Sequence, residues 1–201
     1  MLKDLLAYPV SGEEKFISLE EYAKKMPEGQ KYIYYAAAET VARAEKLPQT
    51  EQVKDAGFGL LYMTEDVGEF VIQILGEYEG KKFCNVSSDD LGLETDMQKA
   101  DNQRIADENR EMLDFIKESL EGEVVDVRIS HKLKSFPVCI TTEGEITLEV
   151  ERYFRSLPGA NTENLKARKV LELNASHSAF EALKRSYSED KEKSAKLAKI
   201  L

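Results

Sequence analysis

Three short, β-rich apolar segments in the first half of the chain most constrain how it can fold. They span residues 31–38, 58–63 and 82–86. The first is apolar at nearly every position, which is typical of a strand that is covered on both faces. Helical patterns separate the three segments. This order of strand, helix, strand, helix and strand predicts a small three-layer αβα sandwich with a parallel sheet and right-handed crossovers.

Start and stop signals place the helices of this half. Ser18 and Glu21 have the spacing of a capping box, which predicts a helix over 18–26. Residues 40–56 read as two short helices that are broken at Pro48. Apolar residues at helical spacing predict a further helix over about 66–76.

The turn after the first predicted strand argues against a nucleotide site. It reads Ala38, Glu39, Thr40, and neither G-x-G-x-x-G nor G-x-x-x-x-G-K-[ST] occurs there. Without glycines, the backbone cannot approach a pyrophosphate at the start of the next helix.

The second half predicts a connecting helix followed by a small α+β domain. Residues 97–121 form the predicted connecting helix, polar on nearly every side in its first half. Strands are predicted at 124–129, 137–140 and 170–173, and a helix follows from about 178. The final helical pattern, 189–201, ends without a capping signal, which indicates a polypeptide cut as an engineered fragment.

An amphipathic helix is predicted over 145–157. Thr142 and Glu145 form a second potential capping box just before it. The apolar positions fall on one helical stripe; they are Ile146, Val150, Tyr153, Phe154 and Leu157.

Composition excludes some classes of binding partner and indicates the cellular compartment. The chain has 28 basic and 38 acidic residues, so its net charge is −10, which argues against nucleic acid or an anionic membrane as the main partner. No apolar run reaches the length of a transmembrane helix, and no export signal is visible. Cys84 and Cys139 lie in strand-like surroundings and do not make a disulfide framework, so we expect a cytoplasmic protein.

No catalytic motif is apparent in the residues. The two histidines, His131 and His177, read as surface or capping residues, and neither cysteine has an activating motif. The acidic loop from Asp89 to Asp96 lacks the spacing of a calcium loop. The residues by themselves therefore predict a chain that is not an enzyme, without catalytic, cofactor-binding or metal-binding residues.

Several segments, taken together, resemble the heat-shock protein 90 family of molecular chaperones, most closely its bacterial form. The similarity begins with Ser-Leu-Glu-Glu-Tyr at 18–22 and Gly-Gln-Lys-Tyr-Ile-Tyr-Tyr at 29–35. It continues in register through 61–70, 78–83, 127–130, 135–139 and 170–174. The resemblance therefore covers the whole chain.

The resemblance implies a domain organisation and a missing activity. Residues 1–15 would be the tail of the preceding middle segment, 16–96 the small αβα subdomain of the middle domain, 97–121 the connecting helix and 122–201 a truncated C-terminal dimerisation domain. The family hydrolyses ATP with Mg²⁺, but its ATPase domain would be absent here, so this chain should neither bind nor hydrolyse ATP and should hold no cofactor. The last helices of the family's dimer would also be absent, which would weaken a homodimer.

The resemblance also implies binding of unfolded or partly folded client proteins. The helix of 145–157 matches the family's client-contacting helix, so Ile146, Val150, Tyr153 and Phe154 are expected client contacts, with the stripe exposed. A weaker correspondence assigns a second client-contacting patch to Phe70, Val71 and Gln73.

Two alternatives stay open at this point. The chain could be a purely structural or dimerisation module, whose apolar stripes contact only other parts of the protein. A less supported alternative is an unrelated small α/β enzyme, which rests on the strand and helix order alone.

Overall fold

The computed structural model describes residues 2–65, 68–87, 90–144, 146–158 and 165–201. They divide into two units. The first contains Met1–Leu93 and Leu148–Lys166, and the second contains Glu94–Thr147 and Ala167–Leu201. The division into 1–15, 16–96, 97–121 and 122–201 stays a prediction.

The first unit is built on a mostly parallel sheet. Strand β3 (Ile33–Ala37) pairs in parallel with β4 (Leu60–Met63) on one side and with β6 (Lys81–Asn85) on the other. The three predicted strands are therefore confirmed. A two-residue strand, β5 (Glu77–Tyr78), adds an antiparallel edge beside β6.

Short helices surround this sheet at the predicted places. They are α1 (Leu19–Lys25), α2 (Val41–Glu45), α3 (Thr50–Asp55) and α4 (Gly68–Leu75). The predicted capping box at Ser18 and Glu21 starts α1 and is confirmed. The first two residues of the helix predicted over 66–76 lie outside the described residues. Before α1, the chain forms a 3₁₀ turn (Leu2–Leu5) and an antiparallel pair, β1 (Ala7–Tyr8) with β2 (Ile17–Ser18).

Both faces of β3 are buried, as its sequence predicts. Ile33 and Tyr35 belong to a core cluster that includes residues of α1 and α4. Tyr34 and Ala36 point to the opposite face, where they pack with residues of α2 and α3. Two cores on opposite faces of one sheet make the three-layer αβα sandwich.

The second unit has a three-stranded mixed sheet. Its central strand, β9 (Arg168–Leu173), pairs in parallel with β7 (Asp126–Ile129) and antiparallel with β8 (Val138–Glu143). Four helices of this unit are α5 (Asp96–Glu108), α6 (Arg110–Ser119), α8 (Ser178–Glu189) and α9 (Lys191–Ile200). Leu171 and Leu173 of β9 share a core with residues of α6, α8 and α9.

The prediction of one continuous connecting helix over 97–121 is wrong. The helix breaks at Asn109, whose backbone angles (φ −115°, ψ 15°) end α5 and begin α6. The Asn109 side-chain amide donates to the Ile105 carbonyl at 2.7 Å. Asparagine competes for backbone hydrogen bonds in this way, which explains why the break occurs here.

The prediction of the helix start at 145 is also wrong. Helix α7 spans Leu148–Ser156, and Thr142 lies in strand β8 instead of acting as a cap. Glu145 lies outside the described residues. The S/T-x-x-E spacing therefore coincides here with the end of a strand, because spacing alone does not report the backbone conformation of the cap residue.

Candidate functional site

Helices α4 and α7 bring together three of the predicted client contacts. The Phe70 ring makes T-shaped contacts with the rings of Tyr153 and Phe154, with centroids 5.4 Å and 5.8 Å away. Tyr153 and Phe154 also contact each other at 5.6 Å. We call these three residues the aromatic cluster. Edge-to-face pairs of this kind contribute about 0.5–1.5 kcal/mol each beyond the area they bury.

The predicted stripe on α7 is less exposed than expected. Val150 is only 4% exposed, so the expectation of an exposed stripe is wrong at this position. Ile146 precedes α7, and it is half-buried, as are Tyr153 and Phe154. The Tyr153 and Phe154 rings are half-buried because α7 packs within the first unit, where they contact the Phe70 ring of α4.

The three side chains of the second predicted patch, Phe70, Val71 and Gln73, have different surroundings. Phe70 is half-buried and belongs to the aromatic cluster, whereas Gln73 is exposed on α4. Val71 is half-buried and lines a cavity of about 220 Å³, together with Tyr8 and Phe16. Ile74, one helical turn from Phe70, is 88% exposed and adds apolar surface on α4.

Arg152 of α7, which directly precedes Tyr153, makes two ion pairs. Arg152 Nη1 lies 2.5 Å from Glu39 Oε1, just after strand β3. The other guanidinium nitrogen of Arg152 pairs with Glu149 on the same helix. Sequence reasoning missed this role of Arg152 and Glu39, since nothing in the spacing of residues 39 and 152 indicates that they meet.

The carboxyl ends of the parallel strands are filled by side chains. Glu69 Oε1 is buried there and accepts hydrogen bonds from the Tyr35 hydroxyl at 3.2 Å and the Asn85 amide at 2.8 Å. Burial and the neighbouring Glu69 carboxylate raise the pKa of Tyr35, so its hydroxyl stays protonated. The cavity at this edge, lined by Glu69, Glu149 and Arg152 among others, has a volume of about 20 Å³, which is the size of a water molecule.

The volume of this cavity can be compared with the space that a nucleotide needs. Open α/β sheets bind nucleotides in the crevice at the carboxyl ends of their strands. Here Val150 and Arg152 of α7 line that place, and the remaining space is far smaller than a nucleotide.

Cys139 and the two histidines are further candidates for chemistry, and each has close neighbours. Burial raises the pKa of the Cys139 thiol, and the nearby Glu172 carboxylate raises it further, so the thiol is a poor nucleophile. His177 caps α8 by accepting the Ala179 N–H at its Nδ1. His131 Nδ1 lies 3.5 Å from a carboxylate oxygen of Glu94.

Among the described residues, no group of three or more histidine, cysteine, aspartate or glutamate side chains is arranged to hold a metal ion. Within the same ranges, no helix combines the length and the apolar character needed to cross a membrane.

Comparison with known proteins gives matches over the whole chain. The family model for Hsp90 protein matches residues 1–201. The chaperone protein HtpG of Halalkalibacterium halodurans is 48% identical over 200 residues, which cover 100% of this chain and 32% of that protein. The chaperone protein HtpG of Clostridium acetobutylicum is 45% identical over 201 residues, with the same coverage. That of Bacillus subtilis is 45% identical over 192 residues, covering 96% of this chain and 30% of its own length.

Proposed function

Because the chain belongs to the Hsp90 protein family, we propose that it binds non-native client proteins through the aromatic cluster on α4 and α7. The observation that carries this proposal is the meeting of Phe70, Tyr153 and Phe154 on one surface of the first unit. Two patches that the resemblance assigns separately to client contact thus form one apolar surface.

The chemistry of this surface suits an unfolded polypeptide. Its half-buried rings and the exposed Ile74 offer apolar area, and removing such area from water contributes roughly 25 cal/mol per Å². Such a surface selects for apolar character without requiring one sequence. The net charge of −10 favours solubility of a protein that carries exposed apolar side chains.

ATP turnover and stable dimerisation are properties of the family that this chain need not have on its own. The chain spans less than a third of the length of the curated relatives it matches. We propose that residues 1–201 need neither ATP nor Mg²⁺ to bind a client, and that the longer protein supplies nucleotide turnover and a stable homodimer. The filled edge of the parallel sheet supports the first point.

Substitution of Phe154 tests the proposed surface. We expect Phe154→Asp to weaken binding of reduced, carboxymethylated α-lactalbumin, a permanently unfolded protein, roughly tenfold. Full burial of a phenylalanine side chain contributes about 1.5–3 kcal/mol, and 1.4 kcal/mol is a factor of ten in affinity. Fluorescence anisotropy of the labelled unfolded protein gives the dissociation constant.

The matched control is Phe136→Asp. Phe136 is a partly exposed phenylalanine in the second unit, so the same change there should leave the affinity unaltered. Amide spectra of both variants report whether the fold is retained. Wild-type affinity in a folded Phe154→Asp variant would contradict the proposed site. Concentration-dependent self-association without affinity for unfolded protein would instead support a purely structural or dimerisation module.

A further inference from the structure

A cleft of about 230 Å³ lies in the first unit, between residues 10–17, 22–30 and 57–59. None of the described residues that line it belongs to the aromatic cluster. We propose that this cleft binds a small, neutral aromatic heterocycle that carries one N–H group, such as indole. The evidence is a buried amide oxygen of a lining residue, the apolar walls of the cleft and a pair of opposite charges beside them.

The side-chain amide of Gln30 is held in one orientation. Gln30 lines the cleft and is only 1% exposed. Its Nε2 donates hydrogen bonds to the Tyr32 carbonyl at 2.8 Å and to the Tyr22 hydroxyl at 2.9 Å. A carbonyl can only accept a hydrogen bond, so the nitrogen of the amide, and not its oxygen, must face Tyr32.

The Tyr22 hydroxyl has no hydrogen left for Gln30. It donates its hydrogen to the Gly59 carbonyl at 2.6 Å, and burial raises the pKa of Tyr22 to about 12, so the hydroxyl stays protonated. Glycine at 59 permits this contact, because a Cβ there would lie 2.9 Å from Cε2 of the Tyr22 ring. Tyr22 can therefore only accept a hydrogen bond from Gln30.

The Oε1 atom of Gln30 is a buried acceptor. Among the described residues, none donates a hydrogen bond to it. Buried amide oxygens in folded proteins almost always have a donor, and an unpaired one is unfavourable. Because Gln30 lines the cleft, a ligand in the cleft can supply the N–H group that completes the hydrogen bonding of this amide.

The size and the walls of the cleft determine the rest of the ligand. Ile17, Met26 and Phe58 contribute apolar side chains to the lining. An apolar cavity of about 150 Å³ is enough to bind benzene, so this larger cleft can hold a two-ring heterocycle. Indole has a flat apolar surface and one N–H donor without an acceptor, which matches apolar walls beside a single acceptor.

The charges at the cleft favour a neutral ligand. Lys25 and Glu13 both line it, and Lys25 Nζ lies 2.5 Å from Glu13 Oε1. Since the two charges are paired with each other, neither is available to select a ligand of opposite charge. Their side chains are 57% and 37% exposed, and pairs as exposed as this one contribute little to stability, so they can move aside for a ligand.

Titration of the 201-residue chain with indole tests the site. The chain contains no tryptophan, so the fluorescence of added indole reports its binding directly. We expect amide shifts concentrated on residues 10–13, 25–30 and 57–59, and about tenfold tighter binding of indole than of 1-methylindole, which lacks the N–H group. Tenfold corresponds to about 1.4 kcal/mol, which is within the range for a hydrogen bond to a buried acceptor. N-acetyltryptophanamide carries the same ring on a peptide unit. Its binding would show that a polypeptide side chain can also supply the ring.

Gln30→Leu tests the role of the amide oxygen. This variant should bind indole and 1-methylindole equally well. Gln103→Leu is the matched control, because Gln103 is an exposed glutamine of the second unit, and this variant should keep the tenfold preference. Amide spectra report whether each variant is folded.

Three results would overturn the proposed site, and all of them come from the wild-type chain, so they do not depend on the folding of Gln30→Leu. They are the absence of indole binding at the solubility limit of indole, amide shifts confined to other parts of the chain, and equal affinity for indole and 1-methylindole. Equal affinity would show that a water molecule already satisfies Oε1 of Gln30. The affinity for clients does not enter these measurements, so the proposed function stands or falls separately.

Discussion

At the scale of single residues, the second unit holds a buried pair of opposite charges. Glu172 and Lys132 are almost completely buried, and the Lys132 Nζ lies 3.4 Å from Glu172 Oε1. The Glu172 carboxylate also accepts hydrogen bonds from the hydroxyls of Ser130 at 2.6 Å and Thr141 at 3.0 Å. Buried charges are tolerated only when they are paired and hydrogen-bonded, and this carboxylate meets both conditions.

We expect Lys132→Met to destabilise the second unit by about 3–5 kcal/mol, because it leaves the Glu172 carboxylate buried without the ammonium. Hydrogen exchange of the β9 amides measures the stability of this unit. The double variant Lys132→Met with Glu172→Gln should recover part of the loss, since it removes the unpaired charge. An equal or larger loss in the double variant would show that side-chain packing, not charge, determines the effect.

At the scale of elements, two helices with the same kind of cap depend on it to different degrees. Ser18 caps α1 and Thr95 caps α5, each through a complete capping box. Helix α1 is also anchored by the buried residues Leu19 and Tyr22. Every residue of α5 is exposed or half-buried, so this helix relies mainly on local interactions such as the pairs of Arg104 with Asp101 and Glu108.

The same substitution should therefore have two different outcomes. We expect Ser18→Ala to lower the free energy of unfolding of the first unit by about 1 kcal/mol while α1 stays helical. Thr95→Ala should instead reduce the helix population at the start of α5, because little tertiary packing holds that turn. Cα chemical shifts of the two helices report the helix populations. Equal fraying of both helices would contradict this distinction.

At the scale of the whole molecule, the predictable elements are those with a strong local signal. The nearly continuous apolar run of 31–38 predicts β3 and its burial on both faces. The capping box predicts the start of α1, and Pro48 correctly predicts the break between α2 and α3. The break at Asn109 escapes prediction because asparagine is compatible with a helical pattern on either side of it.

The candidate site can be predicted only in part from the sequence, because its contacts join residues that are far apart in the chain. Periodicity identifies the apolar stripe of α7, but it does not indicate which surface the stripe contacts. Strands β8 and β9 flank α7 and lie in the second unit, whereas α7 packs with Phe70 in the first. This long-range contact, and the pair of Arg152 with Glu39, depend on the tertiary fold and leave no pattern in the local sequence.

We propose that a non-native polypeptide binds the aromatic cluster on α4 and α7. The most direct measurement is a titration of the ¹⁵N-labelled chain with reduced, carboxymethylated α-lactalbumin, followed by amide chemical shifts. Binding at the aromatic cluster should give shifts concentrated on Gly68–Leu75 of α4 and on Leu148–Ser156 of α7. Binding that shifts only amides of the second-unit sheet, or no shifts at saturating concentrations of the unfolded protein, would contradict it.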